Sequence, residues 1–466
     1  MINPPRRIAL ALSVLLALCF SGLTPPGAGA QEESEKKEQK EEKPIPEAVR
    51  FESTHSGTFN GETLEYRAVV ADIHLKRDNG KTFASVFTTA YLKEDAADQD
   101  GRPVTFVFNG GPGSASVWLQ MGLMGPRRVY VPSDAEHAGS PPYSVVDNPL
   151  SPLDVTDVVL IDPPGTGFSR LVGDGKAEDV WGLREDARTV AKVVREWVRR
   201  NNRWNSPIYL AGESFGTTRA AAMLPELMRG SEPMAVKGVM LISQAMDYTG
   251  SSPYVDDNLV AFVTYLPTMA ATAWYHQQLQ AAHQGRPIAD FLAEVEGFAV
   301  DTYLPALVRG DQLDDGARDR IARQVAEYTG LSPEYVLSAN LRISTQRFWK
   351  ELLRDQRLTV GRLDSRYVGI DQDAAGETPE YDPAMADWDG PFGNAVNIYL
   401  RQELGYDPDL KYNIWGPVRP WNRDDGADVG DMLRSAMQAN PYMKVLIQGG
   451  YFDAATDYFS AVYTIS

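Results

Sequence analysis

The chain has 466 residues, of which 43% are hydrophobic, and a formal net charge of −18 at pH 7. This acidic balance argues against nucleic acid or an anionic membrane as a partner, because both are negatively charged themselves. At about 150 residues per domain the length corresponds to roughly three units, or to a single large fold with an insertion.

Residues 1–30 have the pattern of a secretory signal peptide. Arg6-Arg7 precedes an apolar run from Ile8 to Phe20, and the small residues Ala28-Gly29-Ala30 follow. The apolar run is too short for a comfortable membrane span. We therefore expect cleavage after Ala30, export to the periplasm or the medium, and no membrane contact after cleavage.

Cys19, the only cysteine, lies inside this segment. We interpret it as a residue of the signal peptide rather than a lipid anchor. In a lipoprotein signal a small residue is expected before the cysteine, and Leu18 is bulky. The mature chain would then have no disulfide and no thiolate metal site. No metal or organic cofactor is expected. Residues 31–43 carry no apolar side chain, which predicts a charged, disordered linker over residues 31–49.

The remaining chain alternates between strand and helix patterns. From Phe51 to Leu92, apolar and polar residues alternate as in antiparallel strands at a sheet edge. A helix is predicted near Arg184–Arg200. Five short apolar runs are typical of buried parallel strands, namely Val104–Phe108, Val158–Ile161, Ile208–Ala211, Val239–Ile242 and Val445–Ile447. The sequence therefore predicts an α/β fold with a mainly parallel sheet.

A long segment without such strand patterns interrupts this alternation. Residues 246–390 have a helical composition, as at 288–295 and 346–353, and predict an inserted helical cap between core segments 50–245 and 391–466. Ligands of open α/β sheets bind beyond the carboxyl ends of the strands. A cap inserted there would shape substrate access.

Residues 212–216 form the pentapeptide Gly-Glu-Ser-Phe-Gly, a G-x-S-x-G motif. It follows the apolar run 207–211 and precedes the helix-prone residues 217–228. Strand, tight turn and helix are the context of a nucleophile elbow, which would expose Ser214 for attack on a carbonyl carbon. The alternative is an ordinary turn between a strand and a helix.

Two further loops follow predicted strands: Asn-Gly-Gly-Pro-Gly-Ser at 109–114 and Asp-Pro-Pro-Gly-Thr-Gly-Phe-Ser at 162–169. Glycines let backbone N–H groups approach a ligand closely, as an oxyanion hole requires. With these three motifs in order, the chain from about Phe51 onward closely resembles the serine carboxypeptidase family of α/β-hydrolases. An α/β-hydrolase fold is therefore expected, and Asp162 is interpreted as a structural corner rather than a catalytic group.

The resemblance implies catalytic roles. Ser214 would be the nucleophile, and the N–H groups of Gly111 and Phe215 would form the oxyanion hole. Asp453, which follows a predicted strand and a glycine turn, matches the acid of the triad. Asp457 is the alternative acid, although we expect it at the surface.

The resemblance also implies that Asn109, Gly110 and Glu213 bind the terminal carboxylate of a peptide substrate. A glutamic acid that burial keeps neutral can donate a hydrogen bond to this anion. The family usually supplies a second glutamate, but this chain has Leu123 at that position. Arg127-Arg128 could bind the carboxylate directly, and a solvated basic pair is the alternative interpretation.

In the serine carboxypeptidase family the catalytic histidine follows the catalytic aspartate in the chain. The five histidines of this chain all precede Asp453. We therefore expect a C-terminally incomplete chain, with the histidine beyond Ser466. His276 or His283 could substitute only poorly.

The sequence thus predicts an exported bacterial serine carboxypeptidase that acts on peptides with a free C-terminal carboxylate. An esterase or acyltransferase, or a catalytically dead binding protein, are the alternatives. The sequence leaves the C-terminal residue preference, the physiological substrate and the oligomeric state open.

Overall fold

The computed structural model describes residues 43–96, 98–251, 258–422 and 428–465. The predicted signal peptide, Cys19 and linker residues 31–42 lie outside these ranges. Residues 43–49 are exposed, yet Lys43 and Gly173 exchange backbone hydrogen bonds, and Val49 accepts one from the Asp72 N–H. The backbone thus pairs with the following chain at Lys43 and Val49, and the disordered linker over residues 31–49 stays a prediction.

The longer strands coincide with the predicted apolar and alternating patterns, whereas five short strands of two or three residues among the described residues were not predicted. In chain order they are β1 (Arg50–Phe59), β2 (Glu62–Lys76), β3 (Thr82–Lys93), β4 (Val104–Phe108), β5 (Arg127–Val129), β6 (Val145–Asp147), β7 (Asp157–Ile161), β8 (Arg170–Leu171), β9 (Ile208–Ser214), β10 (Val236–Gln244), β11 (Thr359–Val360), β12 (Val368–Gly369) and β13 (Lys444–Gln448).

The main sheet has the order β1-β2-β3-β7-β4-β9-β10-β13, and β8 pairs with β3. Strands β1, β2 and β3 pair in antiparallel fashion, and β3 joins β7 in the same way. From β7 to β13 all neighbours are parallel. The prediction of a mainly parallel sheet with an antiparallel edge is confirmed.

Helices surround this sheet and fill the region after β10. They are α1 (Val117–Leu119), α2 (Leu183–Arg200), α3 (Phe215–Met228), α4 (Tyr248–Ser251), α5 (Leu259–Tyr275), α6 (Ala281–Gln284), α7 (Ile288–Phe298), α8 (Leu304–Arg309), α9 (Asp315–Thr329), α10 (Pro333–Ser338), α11 (Thr345–Glu351), α12 (Pro383–Ile398), α13 (Gly430–Ala439) and α14 (Tyr458–Ile465).

Both faces of the sheet are buried at its centre, whereas the edge strand β13, which was predicted to be buried, is largely exposed. In β4, Phe106 and Phe108 belong to the apolar cluster that contains Trp197 of α2 and α3 side chains such as Met223. The intervening Val107 belongs to a second cluster, which includes residues of α1 and α12. Successive side chains of a strand point to opposite faces, so the two clusters lie on opposite sides of the sheet.

Helix α5 and helices α7 to α11 share an apolar cluster of their own, built around side chains such as Phe291, Tyr303 and Phe348. This cluster occupies most of the predicted cap, and the short hairpin β11–β12 lies in the same stretch. The predicted boundary at residue 390 falls within α12. The cap boundaries themselves stay a prediction.

Candidate active site

Ser214 lies at a strained turn between β9 and α3. Its φ is 56° and its ψ is −127°, a conformation that non-glycine residues rarely adopt. The residue is partly exposed. The described residues provide no hydrogen-bond partner for its hydroxyl group. This is the local geometry expected of a nucleophile elbow.

The two glycines of the motif are required by close backbone packing. A Cβ atom at Gly216 would lie 2.7 Å from the Phe108 carbonyl oxygen at the end of β4. A Cβ atom at Gly212 would collide with the Gly216 carbonyl group. Any larger residue would therefore push α3 away from the strand ends.

The loop at 109–114 lies directly against the elbow. A Cβ atom at Gly110 would collide with the Phe215 N–H and lie 2.7 Å from the Glu213 carbonyl oxygen. Gly111 has a φ of 105°, which favours glycine. Phe215 is the first residue of α3, so its N–H has no acceptor within the helix. The described residues offer no acceptor to the Gly111 N–H either, and the two amides stay our predicted oxyanion hole.

A buried arginine, which the sequence analysis missed, fixes the loop relative to α3. The Arg219 guanidinium donates to the Asn109 carbonyl oxygen at 2.6 Å and forms an ion pair with Asp186 of α2. It also lies 5.4 Å from the ring centroids of Phe108 and Phe215. An arginine inside a helix carries no sequence signal for this role, because its partners come from distant segments.

The structure brings the three predicted carboxylate-binding residues together. Asn109 Nδ2 donates to Glu213 Oε2 at 2.8 Å, and the Gly110 N–H also bonds the Glu213 carboxyl group. Asn109 Oδ1 accepts from the Leu119 N–H at 3.0 Å, which orients the amide. The Glu213 carboxyl group is therefore held at the junction of loop and elbow.

Burial raises the pKa of Glu213 to about 7, and the nearby negative charge of Asp453 acts in the same direction. The hydrogen bonds from Asn109 and Gly110 and the positive charge of Arg362 oppose this rise. Desolvation disfavours the charged carboxylate more than these groups stabilise it. Glu213 consequently changes protonation near neutral pH.

The position of the family's second glutamate holds no polar group. Leu123 lies in the π-helical turn Gln120–Met124 and is 45% exposed. Arg127, which with Arg128 we considered as a direct carboxylate ligand or part of a solvated basic pair, is partly exposed and paired with carboxylates. Its guanidinium forms ion pairs with Asp147 and with Glu403, the latter at 3.0 Å, so its donors are already engaged.

Asp453 follows β13, and Ser214 ends β9. Strand β10 lies between these two strands in the sheet. Because these strands are parallel, Ser214 and Asp453 leave the sheet at the same edge. Asp453 Oδ1 accepts from the N–H groups of Ala455 and Thr456 at 3.0 and 2.9 Å. The Ser243 hydroxyl is a further partner, and burial raises the pKa of Asp453.

Asp457 is not the surface carboxylate that the sequence analysis expected. It is 1% exposed, and its Oδ2 accepts from the Ser460 N–H at 2.8 Å. The residue precedes α14 and satisfies an N–H of its first turn, which buries the carboxyl group beneath the helix. Its Oδ1 has no partner among the described residues. Burial raises the pKa of Asp457 to about 8.

The two candidate substitute bases have partners elsewhere. His276 Nε2 donates to the Ser365 carbonyl oxygen at 2.8 Å. His283 packs against the rings of Phe291 and Tyr328. Neither makes a described contact with Ser214. The structure therefore assigns no histidine to the role of general base within the described ranges.

Asp162 joins three segments of the core. Its Oδ1 accepts from the Ser116 N–H at 2.8 Å and from the Tyr412 hydroxyl at 3.3 Å, and its backbone N–H bonds the Phe87 carbonyl oxygen. Burial raises the pKa of Asp162 to about 6. These contacts favour the structural interpretation of this residue.

Within the described ranges, no group of three or more histidine, cysteine, aspartate or glutamate side chains could hold a metal ion. A search of the same residues for a helix long and apolar enough to cross a membrane also finds none.

Comparison with known proteins supports the resemblance. Residues 85–287 match the serine carboxypeptidase family model. This stretch contains the loop at 109–114, the loop at 162–169 and the elbow. The chain is also 29% identical, over 193 residues, to the pheromone-processing carboxypeptidase KEX1 of Coprinopsis cinerea. That alignment covers 39% of this chain and spans only 29% of the relative's length.

Among solved structures, the chain is similar to Kex1(delta)p, a prohormone-processing carboxypeptidase from Saccharomyces cerevisiae. The superposition has a TM-score of 0.50 and covers 85% of this chain and 76% of the other. Sequence identity is 14%, so this likeness concerns the fold alone. The predicted α/β-hydrolase fold is confirmed.

Proposed function

We propose that the chain is a serine-type carboxypeptidase that hydrolyses the C-terminal peptide bond of peptides through an acyl-enzyme on Ser214. The observation that supports this most is the strained Ser214 turn with the Gly110 backbone packed against it. A serine hydroxyl in such a turn, without a hydrogen-bond partner among the described residues, suits attack on a carbonyl carbon, and the N–H groups of Gly111 and Phe215 would form the oxyanion hole.

In this mechanism Ser214 Oγ attacks the carbonyl carbon of the last peptide bond as a general base takes its proton. The N–H groups of Gly111 and Phe215 would stabilise the oxyanion. When the tetrahedral intermediate collapses, the C–N bond breaks and the base returns the proton to the departing amino group. Water, activated by the same base, then hydrolyses the ester. Asp453 would orient the base and stabilise its charged form.

Restriction to the last residue would come from Asn109, Gly110 and Glu213. Glu213 directly precedes the nucleophile in the chain, and hydrogen bonds from Asn109 and Gly110 hold its carboxyl group. Below its pKa of about 7, protonated Glu213 would donate to the substrate's terminal carboxylate. A peptide amide lacks this anion and would bind less well.

The signal-like segment supports a further part of the proposal, that this is an exported bacterial enzyme of the periplasm or the medium. Its partners would be peptide substrates, without nucleic acid and without membrane contact after cleavage.

Two observations favour alternatives. The exposed Leu123 in place of a second glutamate favours an esterase or acyltransferase on the same scaffold. The lack of a described contact between a histidine and Ser214 favours a catalytically inactive binding protein.

Hydrolysis of three matched blocked dipeptides tests the proposal: one with a free C-terminal carboxylate, its C-terminal amide and its methyl ester. A carboxypeptidase cleaves the free acid much faster than the amide. Cleavage of the ester alone would favour an esterase. Binding of the free acid without any turnover would favour the binding protein.

A further inference from the structure

Three aromatic side chains, here called the aromatic cluster (Trp118, Phe392 and Trp415), meet beside the loop at 109–114, the glycine loop. The Trp118 ring centroid lies 4.8 Å from that of Phe392 in α12 and 5.7 Å from that of Trp415. Trp415 is 46% exposed, and the other two are partly exposed. The proposed mechanism uses none of the three. Contiguous apolar side chains at a surface often mark a binding site.

Trp118 is fixed directly to the candidate carboxylate site. The next residue of α1, Leu119, donates its N–H to Asn109 Oδ1 at 3.0 Å. The Trp118 Nε1–H donates to the Ser114 hydroxyl oxygen, in the glycine loop itself, at 2.9 Å. Its neighbours Val117 and Leu119 are buried in the core, whereas the Trp118 ring reaches the surface. The ring therefore lies at the border of the loop that carries Asn109.

Trp415 is held against the same loop. It forms a β-bridge with Ser114, and the Gly416 N–H donates to the Gly113 carbonyl oxygen at 2.7 Å. Its Nε1–H donates to Asp389 Oδ1 at 3.3 Å. Backbone and indole ring are thus both fixed before any ligand arrives. A surface that is ordered in advance loses little conformational entropy when it binds.

The surroundings of Phe392 are apolar. A Cβ atom at Gly122, in the π-helical turn, would lie 3.3 Å from the Phe392 ring, so this glycine lets the turn approach the ring closely. Leu123, which follows, is 45% exposed and stands where the serine carboxypeptidase family usually supplies a glutamate. This side of the candidate site consequently presents aromatic and aliphatic groups, which suit an apolar ligand better than a charged one.

We propose that the aromatic cluster binds a large apolar side chain of the substrate's C-terminal residue, with Trp118 as the specificity-determining contact. The side chain and the carboxylate of that residue leave the same Cα atom. A carboxylate bound at Asn109 and Glu213 would therefore bring the side chain to α1. Aromatic rings bury a large apolar area and favour another ring in edge or offset contact. This inference rests on the proposed carboxypeptidase function and names the substrate class for it.

Equilibrium binding to the full chain tests this without requiring turnover. The probes are N-acetyl-phenylalanine, N-acetyl-alanine and Nα-acetyl-lysine, titrated calorimetrically at pH 5, where Glu213 with its pKa of about 7 is protonated. The three acids share one carboxylate and differ only in the side chain. The phenylalanine acid should bind about tenfold more tightly than the alanine acid, because its ring leaves water. The lysine acid should bind less tightly than the phenylalanine acid.

Variants of Trp118 separate a direct contact from a structural one. Trp118→Ala should reduce the preference for phenylalanine over alanine to about twofold and leave the affinity for the alanine acid unchanged. Trp118→Phe retains an aromatic face and should keep most of the preference. Trp204→Ala is the matched control. Trp204 is an equally exposed tryptophan, at 47%, and it precedes β9, whose opposite end carries Ser214.

Equal binding of the phenylalanine and alanine acids, or a preference that Trp118→Ala leaves unchanged, would overturn this inference. Tighter binding of the lysine acid than of the phenylalanine acid would contradict the apolar assignment. N-acetyl-phenylalanine amide reports on the proposed function separately. If it bound as tightly as the acid, or if neither bound, the carboxylate site itself would be wrong. A preference for acid over amide without a preference for phenylalanine would remove the role of the cluster alone.

Discussion

Asn109 Nδ2 lies 2.8 Å from Glu213 Oε2 and donates a hydrogen bond to it. Asn109 belongs to the glycine loop, whereas Glu213 directly precedes Ser214 in the elbow. The contact therefore places the candidate carboxylate site and the candidate nucleophile in one unit. Arg219 reinforces this unit, because its guanidinium binds the Asn109 carbonyl oxygen from within α3. The core, rather than the predicted cap, would thus set the distance between the substrate carboxylate and the scissile bond.

Glu213→Gln should change the pH dependence of substrate binding. Glu213, whose pKa burial raises to about 7, is a hydrogen-bond donor only while protonated, so its contribution declines as pH rises through that value. Glutamine donates at every pH. The KM for a blocked dipeptide with a free carboxylate should therefore rise above pH 7 in the unaltered protein and stay flat in the variant. A parallel rise in both proteins would contradict the donor role.

Gly110→Ala should disrupt the junction between loop and elbow. The added methyl group would collide with the Phe215 backbone, which can yield only if α3 or the loop moves. We expect a loss of about 1–3 kcal/mol in the free energy of unfolding and a large fall in kcat/KM. Gly297→Ala in α7 is the matched control, because nothing lies within 4 Å of its added Cβ. Denaturant unfolding and steady-state kinetics on both variants provide the measurement.

Ser214→Ala should abolish covalent labelling by an organophosphonate and reduce turnover by a factor on the order of 10⁶, as for other serine nucleophiles. The exposed Ser231, after α3, offers a control substitution to alanine that should leave labelling intact. Mass spectrometry of the intact protein measures the adduct. An adduct that persists in Ser214→Ala would identify a different nucleophile.

Much of this site could be predicted from sequence, because its motifs are local. The elbow places Glu213, Ser214 and Phe215 in five consecutive residues, and the apolar runs correctly located β4, β7, β9, β10 and β13. Arg219 could not be predicted. Its partners are brought close only by the packing of α2 and α3 against the glycine loop, and no periodic pattern marks such contacts.

The mistaken expectation for Asp457 has a similar cause. A carboxylate four residues after Asp453 is ordinarily exposed, since burial of a charge is costly. Burial here follows from the capping bond to Ser460 and from the position of α14, which depend on tertiary structure. Arg127 is a comparable case, because its partner Glu403 lies far along the chain.

Asp453→Asn should lower kcat by a factor on the order of 10⁴, because the amide would favour the wrong tautomer of the general base. Binding of the substrate should change little, so the loss should appear in kcat rather than KM. Asp457→Asn is the matched control, since Asp457 is a buried carboxyl group of the same loop. If Asp457→Asn caused the larger loss, the acid would be Asp457.

Asp457→Asn should instead change the pH dependence of stability. Burial raises the pKa of Asp457 to about 8 in the folded state, whereas the unfolded value is about 3.9. Between these values the folded state binds the additional proton, so the free energy of unfolding falls as pH increases from about 4 to about 8. Asparagine resembles the protonated carboxyl group and does not titrate. The variant should therefore be more stable than the unaltered protein at pH 8 and nearly equal to it at pH 4.

Thermal unfolding at pH 4, 6 and 8 measures this difference. Asp431→Asn is the control, because the Asp431 side chain is 86% exposed and its removal should not alter the pH dependence. A gain in Tm for Asp457→Asn that is the same at all three values would show that the carboxyl group does not titrate on unfolding. A gain in Tm that grows with pH would identify Asp457 as a carboxyl group that is neutral in the folded protein. A negative charge at Asp457 would compete with Asp453 for the charged form of the general base.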